Sequence, residues 1–196
     1  NDALLTLERS SAPVIGVTGS SGKTTTTTLV GEMLRQAQVP VCVGGNIGTP
    51  VIDRLGDVPP DGWLVMELSS FQTELFNRSP RVGAILNITP NHLDRHGTMA
   101  AYVAAKERLL HWQTADDVAL LNWDNAATRA LYERRRLVAQ RLAFSLQMPV
   151  AEGAYLRTDD NLVLRWQDHE QVICHRADVR LRGFHNVANL LAACSL

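Results

Sequence analysis

The sequence predicts an α/β fold: a mostly parallel sheet flanked by helices, with a small antiparallel β-meander near the C-terminus. Three observations carry this. Short apolar, β-branched runs alternate with segments of helical periodicity. A glycine-rich turn, Gly16-Val-Thr-Gly-Ser-Ser-Gly-Lys-Thr-Thr25, joins the first such run to the first helical segment. Beyond Val150 the helical segments give way to closely spaced strand-like runs separated by turn residues.

Taken in order, the first strand is placed at Val14–Val17, and the turn after it opens a helix over Lys23–Gln36. The threonine run Thr24–Thr28 belongs to that junction. Strands follow at Val41–Gly44, Trp63–Leu68, Val82–Ile88, Val118–Asn122 and Leu142–Leu146. Helices are predicted between them at Ser70–Phe76, Met99–Trp112 and Asn125–Arg136. Ala154–Arg157, Leu162–Trp166 and Gln171–His175 read as the meander, with Asp159-Asp160-Asn161 and Gln167-Asp168-His169 as its turns. A last helix starts near His185.

Composition narrows the classes of function. The 196 residues carry 19 basic and 20 acidic side chains, a net charge of −1, so no basic face for nucleic acid is implied. The apolar runs are strand-sized and interrupted, which predicts no membrane span, and the first residues show no charged-then-apolar leader pattern. Cys42, Cys174 and Cys194 are odd in number and lack metal-type spacing; free buried thiols in a reducing cytoplasm are expected.

The glycine-rich turn is the strongest functional signal. Between a strand and a helix, such a turn aims consecutive backbone N–H groups at a phosphate, and the helix N-terminus adds partial positive charge. This is the P-loop arrangement, with Gly19, Ser20, Ser21, Gly22, Lys23, Thr24 and Thr25 as the cradle. Lys23 would neutralise the β/γ-phosphates and the Thr24 hydroxyl would hold Mg²⁺. The spacing departs from the strict pattern at Val17, with glycines at 16 and 19 instead. A nucleoside triphosphate, ATP or a close relative, is the expected ligand.

Strand ends supply the remaining candidates, because ligands of parallel sheets collect at the carboxyl edge. Glu67 closes the run Trp63–Leu68, where an acid can provide a further Mg²⁺ contact or cap the following helix. The next run leads into Thr89-Pro-Asn-His-Leu-Asp-Arg-His-Gly97, which concentrates His92, Asp94, Arg95 and His96, with His92 and Asp94 favoured for a metal or phosphate site. Lys106 falls on the apolar stripe of its helix with Met99, Tyr102/Val103 and Leu109/Leu110. Periodicity leaves two readings open there: a lysine that snorkels to water, or one held as the free amine. Asn46, in the strand exit Gly44–Pro50, either reaches a substrate or shapes the turn. Asn186 and Asn189, about one helical turn apart, either read a base or ribose or cap and solvate the helix.

In sequence order these segments resemble the ATP-binding central domain of the Mur ligase family, cytoplasmic enzymes that add amino acids to the peptidoglycan precursor. The resemblance runs from Thr18-Gly-Ser-Ser-Gly-Lys-Thr-Thr25 to Gly183-Phe-His-Asn-Val-Ala-Asn189. Glu67-Leu-Ser-Ser-Phe-Gln72, Asn87-Ile-Thr-Pro-Asn-His-Leu-Asp-Arg-His-Gly97 and Tyr102-Val-Ala-Ala-Lys-Glu-Arg108 are similar to the version found in the D-glutamate-adding member. Many relatives carry aspartate before the loop histidine, where this chain has Asn91.

The resemblance implies an ATP-dependent amide ligase acting on UDP-MurNAc-L-alanine and D-glutamate through an acyl phosphate. It implies two Mg²⁺ ions, one on Thr24 and Glu67, the other on Glu67, His92 and a carbamate on Lys106. It places Asn46 near the transferred phosphate, and Asn189, with Asn186, on the adenine side. It further implies a monomer in which residues 1–196 act with flanking UDP-binding and amino-acid-binding domains. Two alternatives stand beside it: a sister ligase such as folylpolyglutamate synthetase, and a Mg-ATP-binding module without activity of its own.

Overall fold

The structure, a computed structural model, describes residues 1–46, 50–134 and 137–196. Among these residues one nine-stranded sheet runs in the order β2-β3-β1-β4-β5-β6-β7-β8-β9. Its strands are β1 (Val14–Thr18), β2 (Val41–Gly45), β3 (Trp63–Glu67), β4 (Val82–Ile85), β5 (Val118–Asn122), β6 (Gln140–Ser145), β7 (Gly153–Leu156), β8 (Asn161–Trp166) and β9 (His169–His175). β2 through β6 pair in parallel. β7 also joins β6 in parallel before β7, β8 and β9 turn antiparallel, so the meander extends the main sheet without a break. The β8–β9 hairpin turns on Gln167 and Asp168, both in the left-handed region (φ 49° and 63°), which matches the right-handed twist of the strands it joins.

Every residue of β1 is buried, because helices cover both faces of the sheet there. Helices α1 (Asp2–Arg9), α3 (Ser70–Thr73), α5 (Met99–Glu107) and α6 (Ala126–Tyr132) lie over one core containing Val14, Leu64, Met66, Phe76, Ile85, Tyr102, Leu109 and Leu121. Helices α2 (Lys23–Gln36) and α7 (Phe184–Ser195) lie over the other, with Ile15, Val17, Val65, Leu120, Phe144 and Leu191. Strand alternation sends Val14 to one core and Ile15 to the other.

Several elements differ from expectation. Helix α1 is absent from the sequence reading; it is amphipathic, with Ala3, Leu4 and Leu7 on the core, but at eight residues it depends on the Asn1 cap and on that packing. The predicted helix Met99–Trp112 stops at Glu107, where the ladder tightens into three-residue turns, Leu109 N–H bonding Lys106 O and Leu110 N–H bonding Glu107 O. The predicted helix Ser70–Phe76 ends at Thr73, and β4 ends at Ile85 rather than Ile88. A single turn, α4 (Leu93–His96), lies inside the segment read as a loop. The predicted helix Asn125–Arg136 keeps Asn125 as its cap; Arg135 and Arg136 lie outside the described residues, as do Ile47, Gly48 and Thr49 of the Gly44–Pro50 exit. All three cysteines are free, but Cys174 and Cys194 are only half-buried. Among the described residues no helix is long and apolar enough to cross a membrane.

Candidate functional site

The turn between β1 and α2 is held by polar contacts from outside itself. Ser21 N–H donates to Asn87 Oδ1 at 2.9 Å, Asn87 Nδ2 returns a bond to Ser21 O at 3.1 Å, and Ser20 N–H donates to Asn87 O at 2.9 Å. The Ser20 hydroxyl bonds both the N–H and the carbonyl of Thr89, and lies 3.1 Å from the Tyr102 hydroxyl. Gly22, before α2, sits at φ 83°, where a Cβ would come within 2.2 Å of Asn189 Oδ1. Only glycine meets both demands. Gly22→Ala is therefore expected to weaken polyphosphate binding at least about tenfold and to lower stability by about 1–3 kcal/mol, read by nucleotide titration and thermal melting. Lys23 Nζ folds back on Gly19 O at 3.1 Å.

Glu67 closes β3 between β1 and β2, in register with Val17 and Gly45. That register brings three predicted residues together. The Thr24 hydroxyl donates to Glu67 Oε2 at 2.7 Å, and Asn46 Nδ2 donates to Oε1 at 3.2 Å. Glu67 is 3% exposed, and both bonded partners are neutral. A buried carboxylate beside a hydroxyl at the mouth of a phosphate loop is a hard oxygen donor set of the kind Mg²⁺ takes, together with phosphate oxygens and water. The residues present fit that ion.

Lys106 is 1% exposed and points inward, as its place on the apolar stripe suggested. Its ammonium donates to Thr18 Oγ1 at 3.2 Å and Gly19 O at 3.1 Å, with the Tyr102 ring centroid 4.8 Å away. None of these is an acid. Burial, followed by the nearby Lys23 charge, lowers its pKa from 10.5 to about 7. The snorkelling alternative is thereby excluded: the side chain ends beneath the phosphate loop.

The histidine loop is organised differently from expectation. His96, ranked above behind His92 and Asp94 in the candidate cluster, is the inward one: its Nε2 lies 3.0 Å from Ser70 Oγ, and its ring stacks on Phe71 at 5.1 Å. His92 is exposed, adopts φ 52°, and sets its ring edgewise to Phe71 at 5.3 Å. Arg95 lies over the same ring at 5.2 Å, and Asp94 is exposed. Phe71 thus gathers three loop residues. Its helix α3 starts directly after Glu67-Leu68 and is fixed by a reciprocal Ser69–Gln72 capping box. Among the described residues no three His, Cys, Asp or Glu side chains are grouped as a metal site.

A cavity of about 240 Å³ opens beside the turn, lined by Ser21, Gly22, Asn87, Asn122, His185 and Asn189 among others. Asn189 is 7% exposed and bonds Asn186 Oδ1 at 3.0 Å, while Asn186 Nδ2 donates to Arg182 O. Asn189 therefore faces the turn and Asn186 supports it. A larger groove, about 960 Å³, runs along the outside of α5, but its cations are already engaged, Arg134 on Glu107 and Arg108 on Phe76 O.

The sequence reading gave Asn87 and Tyr102 no role and placed His96 behind His92 and Asp94. Asn87 is a polar residue where an apolar run leaves the sheet, a legible signal; nothing local indicates that Tyr102 and Ser20 meet, 82 residues apart.

The sequence matches the Mur ligase middle domain over residues 17–196. It is 47% identical over 181 residues to a protein of Koribacter versatilis called UDP-N-acetylmuramoylalanine–D-glutamate ligase, covering 92% of this chain and 39% of that protein. A protein of the same name from Symbiobacterium thermophilum is 43% identical over 190 residues, 96% of this chain and 41% of its own length. The chain thus spans about two fifths of the length of these relatives. Among solved structures, UDP-N-acetylmuramoyl-L-alanyl-D-glutamate–2,6-diaminopimelate ligase superposes with a TM-score of 0.73 at 25% identity, covering 98% of this chain and 44% of that one.

Proposed function

The chain belongs to the Mur ligase family, and we propose from that premise that it is the nucleotide-binding part of an ATP-dependent ligase joining D-glutamate to UDP-MurNAc-L-alanine in the cytoplasm. The observation that carries the nucleotide role is the 2.7 Å bond between Thr24 and Glu67 at the mouth of the phosphate loop. Identity above 40% to D-glutamate ligases favours this acceptor over a folate-type substrate.

In this reading the substrate carboxylate oxygen attacks the γ-phosphorus of ATP, the bond to the β,γ-bridging oxygen breaks, and ADP leaves an acyl phosphate behind. The D-glutamate nitrogen then attacks the acyl carbon, phosphate departs, and the nitrogen loses a proton to give the amide. The turn Gly19–Thr25 holds the polyphosphate, with the amides just before Thr26 at the helix N-terminus as donors, and Lys23 leaves Gly19 O to neutralise charge on the transferred group. Thr24 and Glu67 would hold one Mg²⁺; Glu67, His92 and a carbamate on Lys106, formed when its amine adds CO₂ with loss of a proton, would hold the second. Bound Mg²⁺ supplies charge neutralisation and in-line alignment of the phosphoryl group. Asn46 orients the γ-phosphate side, and Asn189, steadied by Asn186, faces the adenine in the 240 Å³ cavity. The substrates' other contacts come from flanking domains of a monomer.

Lys23→Ala in the full-length ligase is expected to lower turnover at least about 10³-fold and to weaken ATP binding. Turnover near the parental rate would sink the assignment. The chain's span of about two fifths of its relatives supports a second reading for residues 1–196 taken alone, a Mg-ATP-binding module without catalysis. ATP binding without hydrolysis or ligation by this chain is its expected signature.

A further inference from the structure

We propose that Asn87 is a positioning residue for the nucleotide: it holds the phosphate loop open from outside, so the loop is shaped before any phosphate arrives. The proposal rests on the nucleotide reading above. Besides the glycines and the lysine, a side chain from the far side of the turn engages the loop backbone. Asn87 Oδ1 accepts from Ser21 N–H at 2.9 Å and Nδ2 donates to Ser21 O at 3.1 Å, an amide-to-amide pair that uses both polar groups of one peptide residue. The backbone adds a third bond, Ser20 N–H to Asn87 O at 2.9 Å.

The pairing has a consequence for recognition. Ser21 N–H is committed to Asn87 and is withdrawn from the donors available to a phosphate. The first α2 amide with a helical acceptor is Thr26, bonded to Gly22 O at 3.0 Å, so the amides just before it at the helix N-terminus form the anion cradle. Asn87 decides which amides those are, since it sets where the turn ends and the helix begins. It also lines the 240 Å³ cavity with Gly22 and Asn189, so one side chain joins the wall of the base-sized space to the phosphate turn. Two residues further on, the Thr89 backbone bonds the Ser20 hydroxyl, which ties the turn to the chain leading into the histidine loop.

The test is Mg-ADP affinity of this chain by calorimetry, with thermal melting and amide hydrogen exchange on the same samples. Asn87→Ala is expected to raise the ADP Kd about tenfold and to speed exchange at Ser20–Gly22, while the melting midpoint moves little. Asn87→Asp retains an acceptor for Ser21 N–H, loses the donor to Ser21 O and adds negative charge beside the polyphosphate; its Kd rises further than that of the alanine variant. Parental Kd, within twofold, in either folded variant overturns the proposal. So does rapid exchange of the Ser21 amide in the nucleotide-free parent, a result that needs no variant to fold. Lys23→Ala separates the two levels: if it binds ADP as the parent does, the nucleotide reading fails, whereas loss in Lys23→Ala with parental binding in Asn87→Ala removes Asn87 alone.

Discussion

Glu67→Gln in the full-length ligase is expected to lower turnover about 10³-fold, a loss of about 4 kcal/mol of transition-state stabilisation, without unfolding the domain. The two halves of that expectation share one cause. Glu67 is buried, and its oxygens receive only a hydroxyl from Thr24 and an amide from Asn46. Burying a negative charge against neutral donors costs stability in the ligand-free protein. Glutamine keeps the shape and removes the charge, so the ligand-free melting midpoint is expected to stay level or rise. Metal affinity moves the other way, because the anion that attracts Mg²⁺ is gone. Mn²⁺ titration, steady-state turnover and melting curves on one preparation check all three. Turnover within tenfold of the parent would show that Glu67 is a helix-capping or packing residue, the other role its position allowed.

Lys106→Met is expected to flatten the pH dependence of stability. In the folded chain the ammonium is buried and flanked by Lys23, so its pKa falls to about 7 from the ordinary 10.5. Between those values the unfolded chain holds a proton that the folded chain lacks, and stability rises with pH by up to about 1.4 kcal/mol per unit. Below pH 7 both states are protonated and the penalty is at its full value; above 10.5 both are neutral and it has vanished. Methionine fills similar space and does not titrate. Its advantage over lysine is therefore greatest at pH 6, up to about 5 kcal/mol, and shrinks towards pH 10. Urea melts at three pH values read the difference directly, and a gain that is equal at pH 6 and pH 10 would place the ammonium in water. The same pair of proteins in ¹³C-bicarbonate with Mg²⁺ tests the amine chemistry: a carbamate resonance in the parent, absent from Lys106→Met, is the expected result.

Much of the molecule was legible in one dimension because the signals are local. The alternation of β-branched runs with helical periods fixes a parallel sheet, since strands buried on both faces have no polar side to show. The P-loop turn is legible for the same reason: its glycines, lysine and threonine act within seven consecutive residues, Gly19–Thr25. Even the inward face of Lys106 follows from 3.6-residue spacing.

What the sequence by itself determined, then, is the fold class, the phosphate turn and the residues able to do chemistry. Tertiary structure alone decided which of them meet. Thr24 reaches Glu67 across 43 positions and Lys106 reaches Gly19 across 87, contacts made by the parallel register of β1, β3 and β4 and by no local pattern. The same holds for the loop histidines: the one turn of helix at Leu93–His96 brings His96 inward to stack on Phe71, while His92 stays exposed and meets the same ring edge-on. Local sequence encodes dihedral preference and periodicity, whereas a site is a set of distances between strand ends, and those exist only once the sheet has formed.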